Sequence, residues 1–121
     1  MFCKKAAVIS TTAGAGASQA IKGVAKTLFY WGVPFIRSYG IGVQAMNWES
    51  VKDKKKAKID RDITKLAKKL SDAGAPRVNI KTKILFNMMR NMQKAGWGSS
   101  PVEKHYWSAC GWLDKKRPWK D

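Results

Sequence analysis

In the first forty residues, two short apolar runs lie on either side of a segment whose apolar residues recur at helical spacing. Residues 6–9 form an apolar run of the kind that buried strands show. Apolar residues then recur every three or four positions, which predicts an amphipathic helix from about Ser18 to Tyr30, with Ser18 as its N-cap. Gly32 and Pro34 end that helix, and Val33–Tyr39 is predicted to be a second strand. This order predicts a βαβ unit with parallel strands.

Three more helices are predicted in the rest of the chain. One starts near Ser50, its expected N-cap, and ends at about Leu70, and another covers Ile80 to about Gln93. Ser100 and Glu103 form a capping box, which predicts a short helix from Pro101 to about Ala109. The apolar stripes of the two longer helices are Ile59, Ile63, Leu66, Ala67 and Leu70, and Ile80, Ile84, Leu85, Met88 and Met92.

The loop between the first strand and the first helix is the clearest functional signal. In open parallel sheets, ligands bind beyond the carboxyl ends of the strands, where helix N-termini and free backbone N–H groups point at them. Glycine lets the backbone turn sharply there and approach a ligand closely. We therefore predict a ligand-binding loop, with residues 40–48 as a wall at the same edge; the alternative is a glycine-rich turn without a ligand. The predicted cofactor-binding residues are Thr11, Thr12, Ala13, Gly14, Ala15, Gly16 and Ala17.

This loop does not match the two common phosphate-binding motifs. Gly14 and Gly16 supply the first two glycines of GxGxxG, but Gln19 stands at the third position, and no acidic residue ends the second strand. The Gly-Lys-Ser/Thr of a Walker loop is missing as well. The backbone N–H groups and small hydroxyls that remain suit a flat ring with polar edges, or an anion.

Composition favours one packed domain. The spacing of cysteine and histidine offers no candidate catalytic or metal-binding side chain. The 121 residues are 45% hydrophobic, which argues against disorder. Cys3 and Cys110 lack metal-ligand spacing and are read as reduced thiols, and His105 has no second ligand or acid at metal or triad spacing. We predict no catalytic side chain and no metal ligand. No apolar run approaches a membrane span and no signal-peptide pattern is present, so a cytoplasmic location is expected.

The charge points to a different class of partner. Lys and Arg together number 24 against 8 Asp and Glu, giving a net charge of +16, which attracts nucleic acid or anionic membranes. Most of these cations are lysines, whereas base readout favours arginine, and many fall on the predicted helix that starts near Ser50. We expect a solvated helix face and a tail whose aromatic residues pack on the body. The alternative is a basic nucleic-acid-binding module whose tail aromatics stack on bases.

The order of these segments resembles the carboxyl-terminal half of flavodoxin-like NAD(P)H-dependent oxidoreductases. The likeness rests on Lys5–Ile21, Tyr30–Val33, the lysine-rich helix, Leu85–Arg90 and Tyr106–Leu113. It implies an α/β fold, namely a partial flavodoxin-like three-layer sandwich whose βαβα core of parallel strands is followed by C-terminal helices. The core would occupy residues 1–75, and a helical extension packed on it, within a single domain, would occupy residues 76–121.

The resemblance also implies a cofactor and a reaction. In that family the loop matching Thr11–Ala17 lies against the isoalloxazine ring of FMN, which passes hydride from NAD(P)H to an acceptor. The family's earlier strands and its phosphate-binding loop have no counterpart in this sequence, so we expect a weak or partial FMN site. The edge of the strand Ala6–Ser10 would be left unpaired, which predicts either a homodimer or pairing with a separate amino-terminal half. An inactive, truncated α/β domain is the remaining alternative.

Overall fold

A computed structural model describes residues 1–98 and 100–120 of the chain. These residues form two parallel strands and four helices, which confirms a mixed α/β fold and the predicted strand–helix–strand order. None of the described helices is both long and apolar enough to cross a membrane. The elements are β1 (Lys5–Thr12), α1 (Ala17–Tyr30), β2 (Phe35–Gly42), α2 (Asp53–Asp72), α3 (Ile80–Ala95) and α4 (Pro101–Ala109).

The two-stranded sheet lies between α1 and α2. The strands pair in a register that places Ile9 beside Tyr39, and successive residues face opposite sides of the sheet. On one side, Gly40 leaves room for Ile21 of α1, because a Cβ at this position would contact that side chain. On the other side, the Tyr39 hydroxyl donates a hydrogen bond of 3.3 Å to the carboxylate of Asp62 on α2. Each face of the sheet therefore packs against one helix.

The predicted buried run at residues 6–9 is wrong in detail, because β1 is buried on one face. Val8 is 7% exposed, whereas Ile9, which faces the α2 side, is 53% exposed. The sheet has two strands, and α2 packs on it less extensively than α1 does. The side of β1 that faces α2 therefore stays partly open to solvent.

Three predicted boundaries also differ from the structure. Strand β2 extends to Gly42, because pairing continues along β1 to Thr12 and beyond it, where the Val43 N–H donates to the Thr12 carbonyl at 2.7 Å. Residues 40–42 thus belong to the strand and not to a loop. The N-caps of α1 and α2 are Gly16 and Lys52 rather than Ser18 and Ser50. Ser50 instead donates hydrogen bonds to the side-chain oxygen of Asn47 through both its N–H and its hydroxyl.

Helix α3 docks through a different face from the one that its aliphatic stripe predicts. Ile80, Ile84 and Met88 are more than half exposed, while Phe86 is 5% exposed and Gln93 is also buried. The buried face is selected by aromatic partners that lie far away in the sequence. An aromatic ring buries more area than an aliphatic side chain and gains from ring packing, so Phe86 determines the docked face.

The aromatic cluster around Phe86 joins both ends of the chain. The Phe86 ring stacks on Trp107 with ring centroids 5.1 Å apart, and it meets Trp119 edge-on at 5.0 Å. Phe2 packs edge-on against Phe86 at 6.0 Å and also contacts Trp112 and Trp119. These contacts confirm that the tail aromatics pack on the body. The helix that begins the tail, Pro101–Ala109, has its predicted bounds and its predicted cap, since the Glu103 N–H donates to the Ser100 hydroxyl.

Truncating a side chain should lower the free energy of unfolding much more on the buried face of α3 than on its exposed face. We expect Phe86→Ala to lower the free energy of unfolding by about 3 to 5 kcal/mol, because it removes the ring at the centre of the cluster and leaves a cavity. Ile84→Ala on the same helix, where the side chain is 63% exposed, should change it by less than about 0.5 kcal/mol. Urea unfolding followed by tryptophan fluorescence measures both values. A larger loss for Ile84→Ala would mean that the aliphatic stripe is the docked face.

Candidate functional site

The loop from β1 to α1 folds over the end of β2. The Thr12 hydroxyl donates a hydrogen bond of 3.1 Å to the Gly14 carbonyl. That carbonyl lies so close to Gly42 that a Cβ at Gly42 would overlap it. Gly16 precedes α1 with φ +103°, a backbone conformation that other residues adopt only at a cost in strain. Glycines at positions 16 and 42 therefore let the loop reverse direction against the sheet.

The loop presents backbone donors that the rest of the described chain does not use. Within residues 1–98 and 100–120, the N–H groups of residues 13–18 donate no backbone or side-chain hydrogen bond. The last of these open α1, where the first turn of a helix leaves its N–H groups unpaired and carries positive partial charge. Residues 13–16 are also exposed. Solvent or a bound polar group can therefore reach the donors of residues 13–16.

Two hollows flank the loop. The first has a volume of 390 Å³ and lies between Thr11–Ala13 and the segment from Val43 to Val51. The second, of 480 Å³, is lined by Thr12, Gly14, Gly16–Ser18 and the end of β2, together with Lys22. Both volumes fall in the range of small-molecule sites. Of the seven predicted site residues, the structure therefore places six beside a hollow, while Ala15 lines neither of them.

The segment between β2 and α2, residues 43–52, is the second wall of the first hollow. Trp48 and Asn47 line the hollow, as expected for the loop at this edge, and the Lys56 ammonium lies 5.7 Å from the centre of the Trp48 ring. The Lys55 ammonium donates a hydrogen bond of 2.6 Å to the carbonyl of Gly42. Gln44 has φ +54°, a left-handed conformation that is uncommon for residues other than glycine. The sequence pattern does not predict the hydrogen bond from Lys55 to Gly42, because Lys55 looks like the other surface lysines of this helix.

Helix α2, which follows this wall, is fixed to the sheet by polar contacts along its length. The Lys5 ammonium donates hydrogen bonds to the carbonyls of Leu70 and Ala73 at the C-terminal end of α2. At the middle of the helix, Asp62 accepts hydrogen bonds from Lys58 and Tyr39. The hydrogen bond and charge of Lys58 hold the pKa of the Asp62 carboxyl below its usual value. Burial and the Asp62 carboxylate raise the pKa of Tyr39.

The lysines of α2 mostly form a solvated face, as predicted. Lys54, Lys58, Lys65, Lys68 and Lys69 are exposed. Lys55 and Lys56 are half-buried because one reaches the end of β2 and the other the Trp48 ring. The charge of the helix is therefore presented to solvent, while two of its lysines also support the wall of the first hollow.

A larger cavity opens at the amino edge of the sheet, opposite the loop. It has a volume of 880 Å³ and lies between the end of α1, helix α3 and the tail. Its walls are aromatic and methionine side chains for the most part, including Tyr30, Trp31 and Trp107. The unpaired N–H donors of residues 13–18 are at the other edge, so the predicted loop keeps the stronger chemical signal.

In the described part of the chain, no three His, Cys, Asp or Glu side chains come together as a group that could hold a metal ion. Comparison with known protein families, with characterised proteins and with solved structures gives no match for the chain.

The contact between α2 and the sheet predicts a pH dependence of stability. The folded-state pKa of Asp62 is lowered from an ordinary value of 3.8, so the unfolded chain takes up the proton first as the pH falls. The stabilisation is fully present above that value and is lost as the pH falls through the folded-state pKa. Asp62→Asn should therefore flatten the loss of stability between neutral and acid pH, as measured by urea midpoints.

The control for this prediction is Asp60→Asn, which removes an exposed carboxylate from the same helix. We expect it to leave the slope of stability against pH close to that of the unaltered protein. Equal slopes for all three proteins would show that the contact of Asp62 with Lys58 and Tyr39 does not contribute to folding.

Proposed function

We propose that the chain binds FMN through Thr11–Ala17 and serves as part of an NAD(P)H-dependent oxidoreductase. The observation that carries the proposal is the row of unpaired N–H groups at residues 13–18, the first of which belongs to Ala13 in the wall of the hollow that also contains Trp48. The pyrimidine edge of a flavin ring carries carbonyl oxygens and ring nitrogens that accept such hydrogen bonds. An aromatic wall offers stacking to the ring itself.

Gly14 fits this role because the space around its Cα is open. A Cβ built there meets no atom within 4 Å, so the backbone can be approached by a flat ring without displacing protein atoms. Lys22 and the N-terminus of α1 supply positive charge at the second hollow. That charge favours an anionic group such as a phosphate.

Bound FMN would supply the hydride chemistry, and the residues of this chain would bind and orient the ring. The N–H groups of residues 13–18 would hold its polar edge and would favour negative charge there. The loop and the segment 43–52 would exclude water from one side of the ring. Because the loop provides no dedicated set of side chains for the phosphate, we expect binding to be weak in the isolated chain.

A basic nucleic-acid-binding module is the second candidate, and the exposed lysines of α2 favour it. The tail aromatics give it less support than the sequence suggested, because Trp107, Trp112 and Trp119 pack around Phe86. Binding driven by phosphate contacts weakens linearly with the logarithm of salt concentration. A steep salt dependence with single-stranded nucleic acid, and no response to FMN, would favour this candidate. Failure of both ligands would leave the alternative of an α/β domain with neither activity.

The direct test is a titration of FMN with the protein, followed by flavin fluorescence at constant ionic strength. We expect quenching as the ring enters the hollow, and Gly14→Val should weaken binding by at least about tenfold because its side chain occupies the approach to the backbone. The free energy of unfolding should change by less than about 0.5 kcal/mol, since the position is open.

Gly74→Val is the matched control for this substitution. Gly74 also has open space around an added Cβ, but it lies beyond the C-terminal end of α2. It should leave FMN binding unchanged. Equal weakening by the two variants, or no quenching at high protein concentration, would remove the flavin proposal for this chain.

A further inference from the structure

The chain exposes far more surface than a compact monomer of its size. Its accessible surface is 8679 Å² for a mass of 13.5 kDa. Folded monomers of that mass expose about 6,500 Å² on the usual scaling of surface with mass. Among residues 1–98 and 100–120, thirteen large hydrophobic side chains are more than half exposed. The excess of about 2,000 Å² is more than the share of roughly 800 Å² that one partner buries in a standard interface.

The outer edge of β1 lacks the features that usually prevent a free strand edge from pairing with another strand. Residues 6–12 contain neither a charge nor a proline, although 26% of the chain is charged. Native sheets blunt free edges with lysines, prolines or bulges. The charged residue that opens the strand, Lys5, turns its ammonium away to the carbonyls of Leu70 and Ala73. Charge therefore does not protect this edge.

The backbone direction shows which groups the edge offers. The Thr12 carbonyl accepts from the Val43 N–H, so the even-numbered residues of β1 bond to β2. In a parallel ladder the alternate residues point the other way. Ala7, Ile9 and Thr11 therefore direct their N–H and C=O groups outward, and all three residues are exposed.

The outer edge of β2 differs from that of β1. Pro34 directly precedes the strand, and Arg37 within it is exposed. The outward carbonyl at its end, Gly42, already accepts a hydrogen bond from the Lys55 ammonium. These features are the ones that protect an edge from pairing. One edge of the sheet is thus blocked at its ends, and the other is open along its length.

We propose that the open edge of β1 pairs with the same edge of a second copy of this chain, in an antiparallel arrangement about a two-fold axis. A two-fold axis at Val8 pairs every outward residue of the strand, with Ala7 of one copy opposite Ile9 of the other and Lys5 opposite Thr11. The two sheets become one sheet of four strands. The lysines at position 5 lie apart in this register, so the self-complementary strand avoids a clash of like charges. This inference does not depend on the proposed flavin site.

The net charge of the chain determines how the stability of the proposed dimer changes with salt. Each copy carries +16, so the two copies repel each other over long range at low ionic strength. Salt screens that repulsion without weakening backbone hydrogen bonds or apolar burial. The dimer should therefore become tighter as salt rises from low to physiological concentration. Binding of nucleic acid would show the opposite trend.

Sedimentation equilibrium of the full chain over a range of concentrations tests the proposal. We expect a reversible dimer of about 27 kDa, which is twice the 13.5 kDa of one chain. Ala7→Lys adds the charge that natural edges use against pairing and should raise the dissociation constant at least about tenfold. Ala20→Lys makes the same change at an exposed position of α1 and should leave the dissociation constant unchanged.

Amide hydrogen exchange of the unaltered protein provides a second measurement, which does not depend on whether a variant folds. The amides of Ala7, Ile9 and Thr11 should be protected at concentrations where the dimer forms and should exchange rapidly on dilution. The amides of Val8 and Ser10 bond to β2 and should stay protected in both conditions. A monomer at every concentration and salt, an open-ended assembly, or a dimer with unprotected amides at residues 7, 9 and 11 would overturn the proposal.

Discussion

A pair of parallel strands cannot be joined by a tight turn, and this constraint places the other elements of the core. The chain must return along α1 to start β2 at the same end of the sheet as β1. Both strands then finish at one edge, which is why the loop after β1 and the segment 43–52 face each other. The loop residues Thr11–Ala13 and Trp48 come to line one hollow through this topology and not through closeness in sequence.

The two ends of the molecule are stabilised by different interactions, aromatic packing at one and polar contacts at the other. At the amino edge of the sheet, aromatic rings from both termini surround Phe86 and join α3 and the tail to the first residues of the chain. At the carboxyl edge, contacts are polar, such as those of Lys55 with Gly42 and of Thr12 with Gly14. A well-packed end opposite an open, polar end is the arrangement in which loops can adjust to a ligand without loss of the core.

Local patterns in the sequence were sufficient to predict the order of elements, the helix at Pro101–Ala109 and the position of the loop. They failed where distant residues decide the outcome. The docked face of α3 follows Phe86 because its partners are Phe2 and the tail tryptophans, and β2 runs on to Gly42 because β1 continues beside it. The wall contact of Lys55 is of the same kind. The flavodoxin-like resemblance and the FMN assignment remain predictions from residue order.

Amide chemical shifts of the isotope-labelled protein during addition of FMN test the central claim most directly. The claim is that the N–H groups of residues 13–18 hold a flavin ring against the segment 43–52. Shift changes should therefore concentrate in these two segments and spare the aromatic cavity lined by Tyr30, Trp31 and Trp107. Changes confined to that cavity, or no changes at saturating FMN, would contradict the assignment of the loop as the ligand site.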